Sequence, residues 1–193
     1  MSIDKKYYEY LHIHDMVANI VSQMYKDNWR PDYIIGITRG GLIPATLLSQ
    51  YLEVPCETLK VSLRDGGECE SNLWMAEDAF GYVPMDERGT VHFEITGLPV
   101  REDSSHRERK KNILIIDDIN DTGATLAWIK KDWQSGCLPN SYAWGNIWHN
   151  NVRFATIVNN MSSKETVDYS SFEINKAEED CWIVFPWEEF WRG

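Results

Sequence analysis

Ile113-Leu114-Ile115-Ile116-Asp117-Asp118-Ile119-Asn120-Asp121-Thr122-Gly123-Ala124-Thr125-Leu126 is the run on which the rest of the chain is built. Residues 113–116 are all apolar and read as a parallel strand, buried on both faces and so without polar alternation. Asp117 and Asp118 follow at its C-terminal end, and Asp121 comes three residues later. Thr122, Gly123, Ala124 and Thr125 make a short turn, after which Leu126, Ile129 and Trp133 share one face of a helix. Backbone N–H groups and hydroxyls at a helix N-terminus favour an anion such as a phosphate monoester. Gly123 lets the backbone come close to it. The carboxylates suit diol hydroxyls or a hard cation such as Mg²⁺. A ligand with a phosphate at one end and a ribose diol beside it matches this layout. The plainer alternative is an ordinary strand–turn–helix crossover with solvated acids. Three acids at one strand end repel one another unless a ligand or cation joins them, which argues against it.

A second strand–loop–helix unit lies upstream. Residues 33–37 read as a strand, Thr38-Arg39-Gly40-Gly41 as a loop, and residues 42–52 as a helix with Pro44 in its first turn. Two glycines and an arginine between strand and helix form an anion cradle with a built-in cation.

Four hydrophobic residues followed by Asp-Asp-x-x-Asp-Thr-Gly-x-Thr, residues 117–125, resemble the diphosphoribosyl-binding signature of type I phosphoribosyltransferases. Thr38-Arg39-Gly40-Gly41 is similar to that family's pyrophosphate loop, which reads Ser-Arg-Gly-Gly in the bacterial xanthine–guanine members. The resemblance implies a cis peptide between Thr38 and Arg39, aiming backbone N–H groups at pyrophosphate. The tail, residues 180–188, carries Trp182-Ile183 and Pro186-Trp187-Glu188, similar to the xanthine–guanine pattern Trp-Ile-x-x-Pro-Trp-Asp. By that resemblance Trp182 stacks on a purine, the backbone of Ile183 meets the base edge, and Glu188 lies near it. Trp187, Phe190 and Trp191 read as residues that close the core. One position departs from the pattern. The 6-oxopurine enzymes place a lysine at the end of the preceding strand, against the oxygen at C6. Here Asn160 falls there, and an amide can both donate and accept.

Composition sets the outer bounds. A chain of 193 residues suits one domain with a real core. A net charge of −11 argues against a nucleic-acid partner, which would want a basic face. No stretch is long enough to span a bilayer, and no apolar leader follows the N-terminus. Cys56, Cys69, Cys137 and Cys181 are scattered without a CxxC pair, as reduced thiols in a cytoplasmic protein would be.

The remaining segments are read as follows. Residues 8–26 carry Val17, Ile20, Val21 and Met24 at helical spacing. His12 and His14 fall on different faces of that helix, so a two-histidine metal site is disfavoured. Residues 57–61 and 152–158 read as further strands. Residues 62–111 are Gly- and Pro-rich and include a hairpin-like run at 90–95 and a helix-like run at 71–78. Residues 134–151 read as a surface excursion, with Trp144 and Trp148 capping the core or an interface.

The resemblance implies one α/β domain over residues 1–193, with a doubly wound, mostly parallel sheet. It implies a flexible hood in 62–111 that closes over the reacting carbons and excludes water, and a base-binding tail in 180–193. It further implies transfer of 5-phosphoribosyl from phosphoribosyl diphosphate to a purine, 6-oxopurine favoured, with Mg²⁺ and release of pyrophosphate, as in nucleotide salvage. Thr38, Arg39 and Gly40 would hold pyrophosphate, Thr122 to Thr125 the 5′-phosphate, and Asp117 and Asp118 the ribose hydroxyls or Mg²⁺. Asp121 would take the N7 proton of the base, with Asp117 and Asp118 raising its proton affinity. Members of the family are commonly dimers or tetramers, and a Trp-rich surface is compatible with a homo-oligomer. Two alternatives remain at this point: a weakly active regulator of the same fold that binds nucleotide or donor, and a transferase acting on a different base.

Overall fold

The computed structural model describes residues 4–63, 68–81, 110–139, 141–179 and 181–188. In chain order the elements are β1 (Asp4–Tyr7), α1 (Tyr10–Lys26), β2 (Tyr33–Thr38), α2 (Leu42–Leu52), β3 (Cys56–Lys60), α3 (Leu73–Phe80), β4 (Ile113–Asn120) and α4 (Ala124–Gly136). A 3-10 turn (Tyr142–Asn146), β5 (Val152–Asn160), β6 (Tyr169–Ile174) and β7 (Cys181–Val184) complete the described chain.

Five strands form a parallel sheet in the order β3-β2-β4-β5-β6. Helices cover both faces, which is why its central strands are apolar without alternation. Ile34, Leu114, Ile116, Ala155 and Ile157 face α1 and α2. Ile35, Ile37, Ile113, Ile115 and Phe154 face α3 and α4. The chain leaves β2 toward β3 on one side and resumes at β4 on the other. A crevice therefore opens between the carboxyl ends of β2 and β4, the position where doubly wound sheets bind ligands.

Local patterning placed the helices well. Val17, Ile20, Val21 and Met24 of α1 are buried, and so are Leu126, Ile129 and Trp133 of α4. His12 and His14 are exposed, and the His12 ring accepts from the Glu9 N–H at 3.1 Å in a capping box at the start of α1. The helix-like run at 71–78 is realised as α3. The hairpin-like run at 90–95 lies outside the described residues.

The structure corrects one expectation and adds two features. The expected single sheet has a companion, because β1 pairs in parallel with β7 in a separate two-stranded sheet. The strand β6 was not foreseen: its Tyr-Ser-Ser-Phe-Glu-Ile sequence is a half-exposed edge with only its first and last residues buried. The described residues of 134–151 run mostly along the surface, as expected, but fasten to the core through Trp144 and Ile147. Trp144 and Ile147 are buried at 3% and 2% exposure. Trp144 meets Phe80 edge-on at 4.4 Å and stacks on Trp148 at 5.3 Å, so the segment closes the core over α4. All four cysteines are free. Among the described residues no helix is long and apolar enough to cross a membrane.

Candidate active site

The two loops foreseen as anion cradles meet at the crevice. A cavity of about 1280 Å³ opens there, and every predicted site residue lines it except Asn160. The peptide between Thr38 and Arg39 is cis, as the resemblance implied. Gly40 and Gly41 allow the two loops to touch: a Cβ at Gly40 would overlap the Asp118 carboxylate, and one at Gly41 would overlap the carbonyl of Ile116. Arg39 is exposed at the cavity wall, so its guanidinium can reach an anion in the opening.

The strand β4 runs farther than its apolar core and carries Asp117 and Asp118 into the cavity. The Asp118 N–H donates to Asp117 Oδ1 at 2.9 Å. Burial pushes the Asp117 carboxyl well above the usual carboxylate range, and the charge of Asp118 adds to that push. Burial likewise pushes Asp118 up to about 6, assisted by the charge of Glu188 and opposed by the N–H of Ile119. Among the described residues neither carboxylate has an ion-pair partner. Two crowded carboxylates with hard oxygen donors are a set that Mg²⁺ or a ribose diol would complement, so the residues fit both.

Gly123 turns the chain from strand into helix at φ +83° and is the N-cap of α4. The Ala124 N–H donates to Thr122 Oγ1 at 3.4 Å. A brace that sequence reading missed holds this turn from behind. Asn120, 3% exposed, donates to Asn159 Oδ1 at 2.9 Å and to the Glu165 carbonyl at 2.8 Å, and accepts from Ser163 at 3.0 Å. The Lys164 N–H reaches the Thr122 carbonyl, and Glu165 pairs with Lys130 of α4 at 2.7 Å. A buried amide beside an acidic loop was the only sequence signal for it, and an amide alone does not name its partners.

Asp121 lines the cavity with its carboxylate 3.1 Å from the ammonium of Lys176. Its close charged neighbour is thus a cation from beyond β6, where sequence reading placed only Asp117 and Asp118. Asn160 has a different job from the expected base contact. It is 5% exposed and does not line the cavity. Its NH₂ donates to the Asp121 carbonyl at 2.9 Å. Its oxygen accepts from the Ser162 N–H, the Ser162 hydroxyl and the Lys176 N–H at 3.2, 2.9 and 3.1 Å. An amide oxygen so engaged has no lone pair left for a base.

The tail supplies the opposite wall. Trp182 is 46% exposed while Ile183 is 5% exposed, so the indole face is open and the isoleucine anchors its strand. Glu188 is exposed in the opening and accepts weakly from the Phe185 N–H at 3.4 Å. Trp187 stacks on Phe185 at 4.8 Å, packing against the core as expected. Phe190 and Trp191 lie outside the described residues. Lys5 of β1 stands in register with Trp182 and adds a cation to the same wall.

Residues 5–191 match the phosphoribosyl transferase domain family. The hypoxanthine-guanine phosphoribosyltransferase of Schizosaccharomyces pombe is 27% identical over 94% of this chain and 88% of its own length. The xanthine-guanine phosphoribosyltransferase of Cereibacter sphaeroides is 27% identical over 83% of this chain and 70% of its own. Among solved structures, a purine phosphoribosyltransferase from Pyrococcus horikoshii superposes with a TM-score of 0.60 at 23% identity, covering 97% of this chain and 96% of that one, which is a likeness of fold.

Proposed function

The chain belongs to the phosphoribosyltransferase family, and on that premise we propose that it transfers 5-phosphoribosyl from phosphoribosyl diphosphate to a purine base, a 6-oxopurine by preference. In the step, the N9 lone pair of the base bonds to C1′ of the ribosyl group. The bond from C1′ to the pyrophosphate oxygen breaks, its electron pair leaves with pyrophosphate, and the N7 proton passes to a carboxylate.

The observation that carries this reading is convergence. Two loops at helix starts, the second continuous with an acidic strand end, and an open indole, drawn from three separated parts of the chain, share one cavity. Thr122 to Thr125 would cradle the 5′-phosphate at the start of α4. Thr38, Arg39 and Gly40 would hold pyrophosphate and stabilise its charge on departure. Asp117 and Asp118 would hold the ribose hydroxyls or Mg²⁺. A bound Mg²⁺ supplies charge neutralisation to the diphosphate. Asp121 would accept the N7 proton. Trp182 would stack on the base, with Ile183 and Glu188 at its edge. In this role the protein would serve purine salvage in the cytoplasm.

The test is pyrophosphate release with donor and Mg²⁺ against guanine, hypoxanthine, xanthine, adenine and uracil. Release with the 6-oxopurines is expected. Release with adenine alone would overturn the base class and keep the chemistry. Donor binding with no release for any base would replace the transferase by a donor-binding regulator.

A further inference from the structure

We propose that Lys130 and Glu165 are positioning residues for the turn at 122–125, their ion pair clamping the backbone of 163–165 against Gly123 from outside the cavity. The proposal rests on the transferase reading above, which gives that turn the 5′-phosphate, and it names the residues that hold the turn in its binding shape.

The turn has a back wall. A Cβ on Gly123 would lie 2.7 Å from the Glu165 nitrogen and 2.9 Å from Ser163 Oγ, so the segment 163–165 presses directly on the turn. Three links fasten that segment. The Lys164 N–H donates to the Thr122 carbonyl at 3.3 Å, at the entrance to the turn. The Glu165 carbonyl accepts from the buried amide of Asn120 at 2.8 Å, at the end of β4. The Glu165 carboxylate accepts from the Lys130 ammonium at 2.7 Å. Lys130 belongs to α4, the helix whose first N–H groups would meet the phosphate. The segment is thus tied to the strand before the turn, to the turn itself and to the helix after it.

Lys130 is itself aimed. Its side chain is 17% exposed and that of Glu165 23%. The ammonium lies 3.3 Å from His149 Nε2 and 5.3 Å from the centre of the Phe154 ring. An ammonium can only donate, so Nε2 accepts and the ring proton sits on Nδ1. Nδ1 donates to Asp168 Oδ1 at 3.1 Å, and Asp168 Oδ2 accepts from the Phe154 N–H of β5 at 2.7 Å. Carboxylate, ammonium, imidazole and carboxylate therefore form one polar chain from the turn to the sheet. None of the four residues lines the cavity, so their effect on a ligand passes through the turn.

Backbone N–H groups bind an anion well when they are already aimed at it, because ordering a loop on binding costs affinity. Without the ion pair, 163–165 keeps its links to Thr122 and Asn120 but loses its hold on α4, and the ligand must order the turn. The loop at 38–41 packs on Asp118 instead, so the loss should be confined to the 5′-phosphate.

The test is calorimetry on the full chain with two separate probes, ribose 5-phosphate and inorganic pyrophosphate with Mg²⁺. The variants are Glu165→Met, Lys130→Met, their combination, and Lys130→Arg, with donor and base KM and kcat alongside. Residues that act on a site without touching its ligand shift affinity by roughly 2- to 30-fold. A loss in that range is expected for ribose 5-phosphate in both single Met variants, with donor KM rising in step. Pyrophosphate affinity, base KM and kcat at saturating donor should hold. Lys130→Arg should keep most of the affinity, and the combined variant should lose no more than the worse single one, since both remove one bond. Equal weakening of both probes, additive losses, or unchanged ribose 5-phosphate affinity would each overturn the assignment. Glu165→Met leaves the backbone bonds of that residue in place and carries the test if Lys130→Met unfolds. Failure of the transferase reading is separable, because it shows in the unaltered protein as no pyrophosphate release with any base while ribose 5-phosphate still reports on the clamp. An unaltered protein that does not bind ribose 5-phosphate would sink the clamp together with the phosphate assignment.

Discussion

Gly40 lies so close to Asp118 that the carboxylate fills the place where a side chain on Gly40 would stand. The loop at 38–41 and the acidic end of β4 are therefore one packed unit. Gly40→Ala should force Asp118 aside, and overpacking of this kind costs about 1–3 kcal/mol. Donor affinity measured calorimetrically with Mg²⁺ should drop at least roughly tenfold. A dissociation constant equal to that of the unaltered protein would show that the two loops act independently.

The crowded carboxylates should make the ligand-free protein more stable in acid than at neutrality. Their folded-state proton affinities are raised, so between the ordinary carboxylate range and about 6 the folded chain binds more protons than the unfolded one. Stability is then greatest at the acid end of that window and falls as pH rises through it. Asp118→Asn removes one charge and should stabilise the ligand-free protein at pH 7 by about 1–3 kcal/mol, with little gain near pH 4. Urea unfolding at the two pH values reads the difference. Equal gains at both would remove the electrostatic explanation. The same substitution should weaken donor binding, a trade of function against stability.

Asp121→Asn should separate chemistry from binding. The amide keeps the shape and loses the proton acceptor, so turnover should fall by roughly 10² to 10⁴ with donor affinity nearly unchanged. Unchanged turnover would take Asp121 out of the mechanism.

Asn160 should behave as a brace. Asn160→Ala strips partners from the N–H groups of Ser162 and Lys176. These part-buried hydrogen bonds contribute about 0.5–1.5 kcal/mol each, which the urea midpoint should register without a change in slope. A stable Asn160→Ala protein that lost only base affinity would restore the direct base contact expected from sequence.

Trp182→Ala should act on the base alone. Stacking contributes about 1–3 kcal/mol per base, or roughly 5- to 150-fold in affinity. The KM for the base should rise within that range while the KM for the donor holds. A rise in donor KM of the same size would place Trp182 in the donor site.

Sequence by itself determined the sheet's centre, the helices that cover it and the two loops that lead into α2 and α4. Those features are local: four apolar residues make a buried strand, helical spacing makes a face, and Thr-Gly-Ala-Thr or Arg-Gly-Gly makes a turn at a helix start. Each is encoded within about a dozen residues, so each can be read without knowing what lies across from it. Tertiary structure decided the rest. Lys5 meets Trp182 because β1 and β7 pair from opposite ends of the chain, and no short-range signal announces such a partner. The edge strand β6 hides behind mixed polarity because only part of it is buried. Lys176 reaches Asp121 because β6 packs beside β5 and brings its end over the β4 loop. Asn160 was legible as the residue at a strand end, but its role was settled by three backbone segments that converge on one amide. Hydrogen-bond partners far apart in sequence are chosen by how the sheet is assembled, and the partners of Asn120, Asn160 and Asp121 lie in that category.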